Sequence, residues 1–541
     1  MQRTDASARS DGRVWVFLSW LSLFLILAMM GTLGLLVCGN SFYALWPNRV
    51  EKVRLVDGNV FLGFPVQEDL SPDGLRRVQY KVGNRELHAG ADFRWVYDKD
   101  IAEREYPAEA VLAGRMENGD FFGFLGGEAD AAPESRVSLN ARLRSYRERW
   151  NVEAEPLREK LAALGEDWQR AHLSALKAQY EKDRAVSADS LSGWDARLRA
   201  QRERGQNIKA ESERLMTQFT RVKESFSRET AVFLTAGETR VVLPLSSLVD
   251  VSWPNAMTVS ERLWRFVLNI WTLLTRYPRE ANTDGGIYPA LLGTVMLVFL
   301  MAVSAFPLGV AAGIYLREYA KDGFLSRTAR VAVNNLAGVP SIVYGIFGLG
   351  FFVYGIGGTI DSLFYPERVA AGISTYGGGG IVWSALTLGL LTLPVVIVAT
   401  EEALSTVPSE VRQGSLALGA TRFQTLWRVI LPMASPGILT GFILAMARAA
   451  GEVAPLMLTG AVKSAHSLAL DASWPFVHLE RKFMHLGFHV YDMGFQSPNV
   501  EASKPLVYLT ALVLLVLVFM LNFTAISLRR RMREKYAMKG F

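Results

Sequence analysis

Long uncharged apolar runs alternate with polar stretches along this chain, and their lengths predict the architecture. Val14 to Gly39 holds no charged residue, and at roughly 1.5 Å per residue it is long enough to cross about 30 Å of hydrocarbon. The run exceeds the apolar stretch of a cleavable signal and no A-x-A site follows it. It therefore reads as an uncleaved first span, 14–39, preceded by a tail, 1–13, with Arg3, Arg9 and Arg13. Ile287–Leu316, Val331–Gly357, Ile381–Thr400 and Pro505–Leu528 are also uncharged, and Ser435–Leu458 is apolar except for Arg448 and Glu452. Six transmembrane helices are expected.

The polar stretch 40–286 has the composition of a water-facing domain. From Arg49 to Glu128, and again from Thr230 to Val251, apolar and polar residues alternate around turn signals: Asp57-Gly58-Asn59, Val82-Gly83-Asn84, Asn118-Gly119-Asp120 and Ala236-Gly237-Glu238. Asparagine and glycine accept the positive φ of hairpin turns, so a β-rich subdomain over 49–130 and 230–252 is expected, as one barrel or sandwich. Between them the period changes. Leu139, Leu143, Tyr146 and Trp150 step by heptad spacing, as do Leu157, Leu161, Leu164 and Trp168, and Leu215, Phe219, Val222 and Phe226. This predicts a long antiparallel coiled-coil hairpin over about 135–228, reversing at Asp189-Ser190-Leu191-Ser192-Gly193. Its charged flanks read as a solvated face, and no nucleic-acid surface is expected.

The stretch 401–434 breaks the membrane pattern. Leu416-Ala417-Leu418-Gly419-Ala420 reads as a short helix ended by a glycine in the left-handed conformation. Thr421-Arg422-Phe423-Gln424 has capping-box spacing for a second helix carrying Leu426, Trp427 and Ile430, stopped by Pro432 after Leu431. A helix, a sharp bend and a helix between two spans form a knuckle on which another protein can dock.

Composition and charge refine the picture without changing it. The chain has 541 residues, half of them apolar, and 58 Lys+Arg against 52 Asp+Glu. Arg529, Arg530, Arg531, Arg533, Lys535 and Lys539 close the chain, and Arg317, Lys321, Arg327 and Arg330 fill the loop after the second span. Basic residues favour the cytoplasmic side, so both tails (1–13 and 529–541) and the knuckle are expected inside, and 40–286 outside. The lone cysteine, Cys38, excludes an internal disulfide and a multi-cysteine metal site, and the residues before it do not suit lipidation.

Candidate chemistry is sparse. No G-x-x-x-x-G-K-[ST] loop occurs, so the chain has no phosphate-cradling loop of that kind for ATP. Arg448 and Glu452, four apart inside a span, read equally as residues of a translocation pathway and as a structural ion pair. Gly338-Val339-Pro340-Ser341 is a break: Gly338 and Pro340 are hinge candidates, with a packing kink and a substrate contact as the two readings. Glu401 and Glu402 read as interfacial carboxylates in water. His466, His478, His485 and His489 lie in one loop, where packing histidines are expected and no metal site is assigned.

Residues 287–528 resemble the core of type I ABC importer permeases, in particular phosphate permeases of the PstA type. The resemblance rests on Gly419 followed nine residues later by Val429-Ile430-Leu431-Pro432, on Gly338-Val339-Pro340-Ser341-Ile342-Val343-Tyr344-Gly345, on Gly285-Gly286-Ile287 with Gly293-Thr294, and on Gly451-Glu452-Val453-Ala454-Pro455-Leu456. The family's EAA triplet is replaced by Gln413-Gly414-Ser415. The resemblance implies an all-α polytopic membrane core in a bacterial inner membrane; the large α+β periplasmic insertion expected from the pattern over 40–286 lies outside the family's usual core. It implies a non-catalytic subunit that binds no cofactor, with ATP and magnesium on two separate ATPase subunits docked at the knuckle (Leu416, Ala417, Gly419, Ala420, Thr421, Leu431, Pro432). A second homologous permease subunit, a periplasmic phosphate-binding protein and membrane lipid complete the expected partners. Sulfate, molybdate or phosphonate are alternative cargoes. A ligand sensor would need a cytoplasmic output domain, for which the tails are short, and an envelope scaffold would leave the knuckle and the Arg448–Glu452 pair idle.

Overall fold

The computed structural model describes residues 4–87, 91–127, 134–184, 188–465, 467–471, 473–497 and 500–536. Helix α1 (Thr4–Leu45) contains the first span and continues through the expected polar tail. A domain of ten strands and four helices follows. Strands β1 (Glu51–Leu55), β2 (Val60–Leu70), β3 (Arg76–Lys81), β4 (Phe93–Tyr97) and β5 (Ile101–Glu105) form one antiparallel sheet in the order β4-β3-β2-β1-β5. Strands β6 (Val111–Arg115) and β7 (Phe121–Leu125) join β8 (Thr230–Leu234), β9 (Arg240–Pro244) and β10 (Leu248–Ser252) in a second, ordered β10-β6-β7-β8-β9.

Each sheet has a core of its own, around Val53, Phe61 and Tyr80 in one and Val111, Phe121 and Phe233 in the other, and the two meet in a third cluster of Val50, Leu62, Ala110 and Phe122, so the strands form two joined sheets rather than one closed barrel. Three of the four turn signals close hairpins. Asn118 and Gly119 take φ of 68° and 67° between β6 and β7. Val82-Gly83-Asn84 does something else: Asn84 exchanges hydrogen bonds with both the N–H and the carbonyl of Phe122, each 2.9 Å, and stitches the first sheet to the second. A Cβ on Gly83 would lie 2.2 Å from the Asp120 carbonyl oxygen, so glycine is needed for the approach rather than for a hairpin.

The helical hairpin is inserted between β7 and β8. Its rising arm is α2 (Arg136–Glu153) and α3 (Glu155–Asp183), and its returning arm is α4 (Ala188–Ser227). The expected reversal at 189–193 is inside α4; α3 ends at Asp183 and α4 starts at Ala188, and residues 185–187 are outside the described residues. The lower heptad positions do not pack in a free-standing coil. Leu139, Leu143, Tyr146 and Phe226 join the core of the second sheet, with the Tyr146 and Phe226 rings 5.1 Å apart. At 40 residues, α4 is roughly 60 Å long. Helix α5 (Val259–Thr275), started by a Thr258–Glu261 capping box, returns the chain to the membrane.

Among the described residues six helical stretches are long and apolar enough to cross a membrane: Trp15–Leu45, Tyr288–Tyr319, Ser341–Phe364, Ile381–Ser405, Arg422–Gly451 and Ser503–Glu534. Helices α6 (Tyr288–Ile314), α7 (Phe324–Leu336), α8 (Ser341–Phe347), α9 (Gly358–Phe364) and α10 (Pro366–Ala370) lead to α11 (Ile381–Ser405), the most buried span. Small residues let backbones touch around α11. A Cβ on Gly309 or Gly313 of α6 would meet Val396 or Thr400 within 2.7 Å, and one on Gly437 or Gly441 would meet Ala403 or Ala399 within 2.5 Å. Helix α3 of the hairpin rests against α10, so the inserted domain also touches the core away from its own attachment points.

Candidate functional site

The knuckle is built by α12 (Ser409–Ala417) and α13 (Arg422–Thr425). Gly419 has φ of +83°, which lets the Gly419 and Ala420 amides donate back to the Leu416 and Ser415 carbonyls at 3.0 and 3.2 Å. That paired closure ends α12 and turns the chain through a right bend. Thr421 and Gln424 then form the expected capping box, with bonds of 2.9 and 3.2 Å between side chains and backbone amides. The Ser415 and Thr425 hydroxyls meet at 2.9 Å and pin the two arms together.

Pro432 does not stop the second arm. The helix widens to a π turn over Leu426–Ile430, where the Leu431 N–H reaches five residues back to Leu426, and continues as α14 (Leu431–Gly451). The extra residue in that turn absorbs the donor that proline lacks and the clash it would cause, so Pro432 is inside a continuous span from Arg422 to Gly451. The span expected over Ser435–Leu458 therefore starts earlier and ends earlier.

Two arginines bind the knuckle to its spans. Arg412 donates to Glu318 and to the Leu404 carbonyl, both at 2.6 Å, and Arg330 donates to Glu401 at 3.2 Å and to the Leu316 carbonyl at 2.9 Å. Glu401 is thus a partner of α7 rather than a free carboxylate in water. These pairs join residues 94 and 71 positions apart, beyond the reach of local spacing rules. On the outer side of the bend Leu418, Phe423 and Trp427 are 90%, 64% and 64% exposed, and the two rings stack with centroids 6.3 Å apart. Among the described residues nothing covers this apolar tip.

A second feature is deeper in the core. The run expected as one span, Val331–Gly357, is two helices: α7 ends at Leu336, the joint 337–340 contains Gly338 and Pro340, and α8 starts at Ser341. Arg330 below the joint is level with Glu401 of α11, while Gly348 above it abuts Thr387, roughly 20 Å further along α11 at 1.5 Å per residue. The joint therefore lies within the thickness of the core. The Tyr344 hydroxyl donates to the Leu336 carbonyl at 2.7 Å, satisfying a backbone group that the break would otherwise free.

The other broken span faces it. Helix α14 ends at Gly451, Glu452 is extended (φ −76°, ψ 136°), and α15 (Ala454–Thr459) starts a new helix. Arg448 and Glu452 are not on one continuous helical face, yet they pair, with Nε 3.3 Å from Oε1. Their side chains remain 35% and 21% exposed. Arg448 is within electrostatic reach of the Tyr344 phenol, and the Pro455 Cα would be 2.7 Å from a Cβ on Gly345, so α15 is set directly against α8. The hinge candidates and the charged pair thus form one region in which two interrupted spans adjoin. Tyr344, which links them, was missing from the sequence-derived site set, although it falls within the 338–345 motif that carries the resemblance.

The loop from 460 onward, with α16 (Leu486–Tyr491) and the last helix α17 (Val500–Tyr536), closes the end of the core nearest the inserted domain. His485 and His489 are buried, and burial lowers them to about 3 and about 4, with Lys463 adding to the effect at His489. His478 bonds Asp471 at 3.1 Å. No cluster of three or more potential ligands is present among the described residues, and His466 is outside them.

Against known proteins, the profile of the family described as binding-protein-dependent transport system inner membrane component matches residues 305–534. Phosphate transport system permease protein PstA 1 of Mycobacterium tuberculosis (strain CDC 1551 / Oshkosh) is 36% identical over 260 residues, 48% of this chain and 75% of the relative. The chain belongs to this family, as a permease of the PstA type. Another PstA-type permease, the probable phosphate transport system permease protein of Methanocaldococcus jannaschii, is 38% identical over 177 residues, 33% of this chain and 56% of the relative. Among solved structures, the inward-facing MetNI methionine ABC transporter is similar at TM-score 0.33 and 19% identity, over 45% of this chain and 94% of that one. As a PstA-type permease the chain is the non-catalytic, membrane-spanning part of its transporter, and ATP hydrolysis belongs to a separate subunit.

Proposed function

We propose that this chain is a transmembrane subunit of an ATP-driven importer of inorganic phosphate, with an ATPase docked on the exposed tip of the 401–434 knuckle. The observation that carries the reading is the 36% identity over 260 residues to a phosphate transport system permease. The exposed Leu418, Phe423 and Trp427, held on an ion-paired base, support the docking role. In this reading both tails and the knuckle are cytoplasmic and 40–286 is periplasmic, supported by the basic residues at 529–533. A second permease subunit covers the partly exposed Arg448–Glu452 region, two ATPase subunits supply the drive, and a periplasmic binding protein delivers phosphate. Arg448 meets phosphate in the pathway and Glu452 orients it, while the joint at Gly338–Pro340 absorbs the movement between outward- and inward-open states.

Uptake of labelled phosphate into proteoliposomes holding the co-purified complex tests the reading. ATP-dependent uptake that excess sulfate, molybdate or phosphonate leaves unchanged supports it; uptake displaced by one of those ions reassigns the cargo, and absence of any co-purifying ATPase overturns it.

A further inference from the structure

Helix α5 divides its surface three ways. Leu263, Trp264, Val267, Leu268 and Trp271 are exposed along one side, a stripe of the kind that lies in a membrane interface. Phe266, Ile270, Leu273 and Leu274 turn toward α1 and α17 and line an apolar cleft of about 590 Å³. Arg262, Arg265, Asn269, Thr272 and Arg276 follow the third side at steps of three and four, and the last four of them line a polar cleft of about 510 Å³ beneath the second sheet.

The polar cleft is lined by Lys81, Arg147, Arg265, Arg276 and Arg279 against Asp120, Asp250 and Asp284. Each acid answers one base: Lys81 with Asp120, Arg265 with Asp250, Arg279 with Asp284. Arg147 donates to the Val249 carbonyl, and among the described residues neither it nor Arg276 has a carboxylate partner. Burial, and then the neighbouring Arg279 and Arg147, hold the Arg276 guanidinium below its usual range, the mark of a cation gathered among cations. The two clefts adjoin, with Leu45, Leu273 and Leu509 lining both. A surplus of guanidinium groups beside an apolar groove, at the level of an interfacial helix, matches the two ends of one molecule.

We infer that this joined cleft is a binding site for an anionic phospholipid, its phosphate held by Arg276 and Arg147 and an acyl chain laid along the groove between α1, α5 and α17. A free phosphate ion would use the arginines but leave the apolar groove without an occupant, whereas a lipid fills both. In the orientation proposed above the lipid belongs to the outer leaflet. It adds α5 to the packing that α1 and α17 already share, since α5 itself meets α1 along few contacts.

Cys38 lines the apolar groove, is exposed, and is the chain's one cysteine, so it reports on the site directly. A fluorophore on Cys38 of the full chain in its co-purified complex, reconstituted in phosphatidylcholine vesicles, is quenched by brominated lipid added at low mole fraction. Brominated phosphatidylglycerol is expected to quench about fivefold more effectively per interacting arginine than brominated phosphatidylcholine. Arg276→Gln is expected to lose about fivefold of that preference, and Arg147→Gln with Arg276→Gln to abolish it, with assembly of the complex unchanged. Equal quenching by the two lipids, or a preference unaltered in the double variant, overturns the inference. Absence of quenching by either lipid overturns it too, because protein then covers the groove. Loss of the preference on adding inorganic phosphate assigns the arginines to the free ion and overturns the lipid as occupant.

Discussion

Gly419 shows how much one backbone angle carries. A Cβ there would meet nothing within 4 Å, so the obstacle to substitution is the positive φ, which costs an ordinary residue about 1–2 kcal/mol. Gly419→Phe is expected to unlock the bend and abolish ATPase pulldown and phosphate uptake while the protein still inserts in the membrane; Gly419→Asn, which tolerates the angle, is expected to retain most of both. An unaffected pulldown with Gly419→Phe removes the docking role. Arg448→Gln is expected to stop uptake with the complex still assembled. Loss of assembly instead makes the Arg448–Glu452 pair a structural tie. Such residues were legible in the sequence where their rule is local: a glycine after a short apolar helix, a Thr and a Gln three apart. Pro432 was misread because a local rule, that proline ends a helix, is overridden by the widened turn before it. Glu318, Glu401, Arg330 and Arg412 were not legible as partners because nothing in sequence spacing links a span end to a loop so far along the chain.

At the scale of elements, the core uses interruption where the hydropathy shows continuity. The apolar run through 331–357 gives no sign of depth, yet the joint at Gly338–Pro340 and the gap at Glu452 are brought side by side by α8 and α15. Tyr344 spans that joint, and removing its hydroxyl forfeits a hydrogen bond of about 1 kcal/mol. Tyr344→Phe is expected to lower ATP-driven uptake several-fold with little change in thermal stability, measured as a paired uptake and melting series; normal uptake would show the joint is not a moving part. The hairpin is the reverse case. Its heptad spacing announced helices correctly, but not that their lower ends are part of a sheet core, since Leu139 and Phe226 look the same whichever surface they bury against.

The whole molecule couples two chemistries, a lipid-facing core and a water-facing domain, and the loop after α15 holds two buried histidines whose protonation the fold opposes. Unfolded, His485 and His489 take up protons below about pH 6.5. Folded, burial delays this to about 4 at His489 and about 3 at His485, so stability falls as pH drops through that window. The melting temperature of the purified protein is expected to decline from about pH 7 to about pH 5, and less steeply in His485→Phe and His489→Phe. A flat profile in the wild type would show that the two rings are hydrated in solution. Six spans and a large insertion were legible from run lengths alone; the division of the insertion into two sheets was not, because strand order depends on pairings such as Phe124 with Leu234, which lie on either side of the hairpin.

At Gly309, Gly313, Gly437 and Gly441 the short side chains of Val396, Thr400, Ala403 and Ala399 on α11 press directly on the α6 and α14 backbones, which leaves little slack between the helices. Three helices fitted that closely are expected to move together. In the proposed reading, a displacement applied at the bend then reaches the far end of α14 first at the gap at Glu452, beside Arg448.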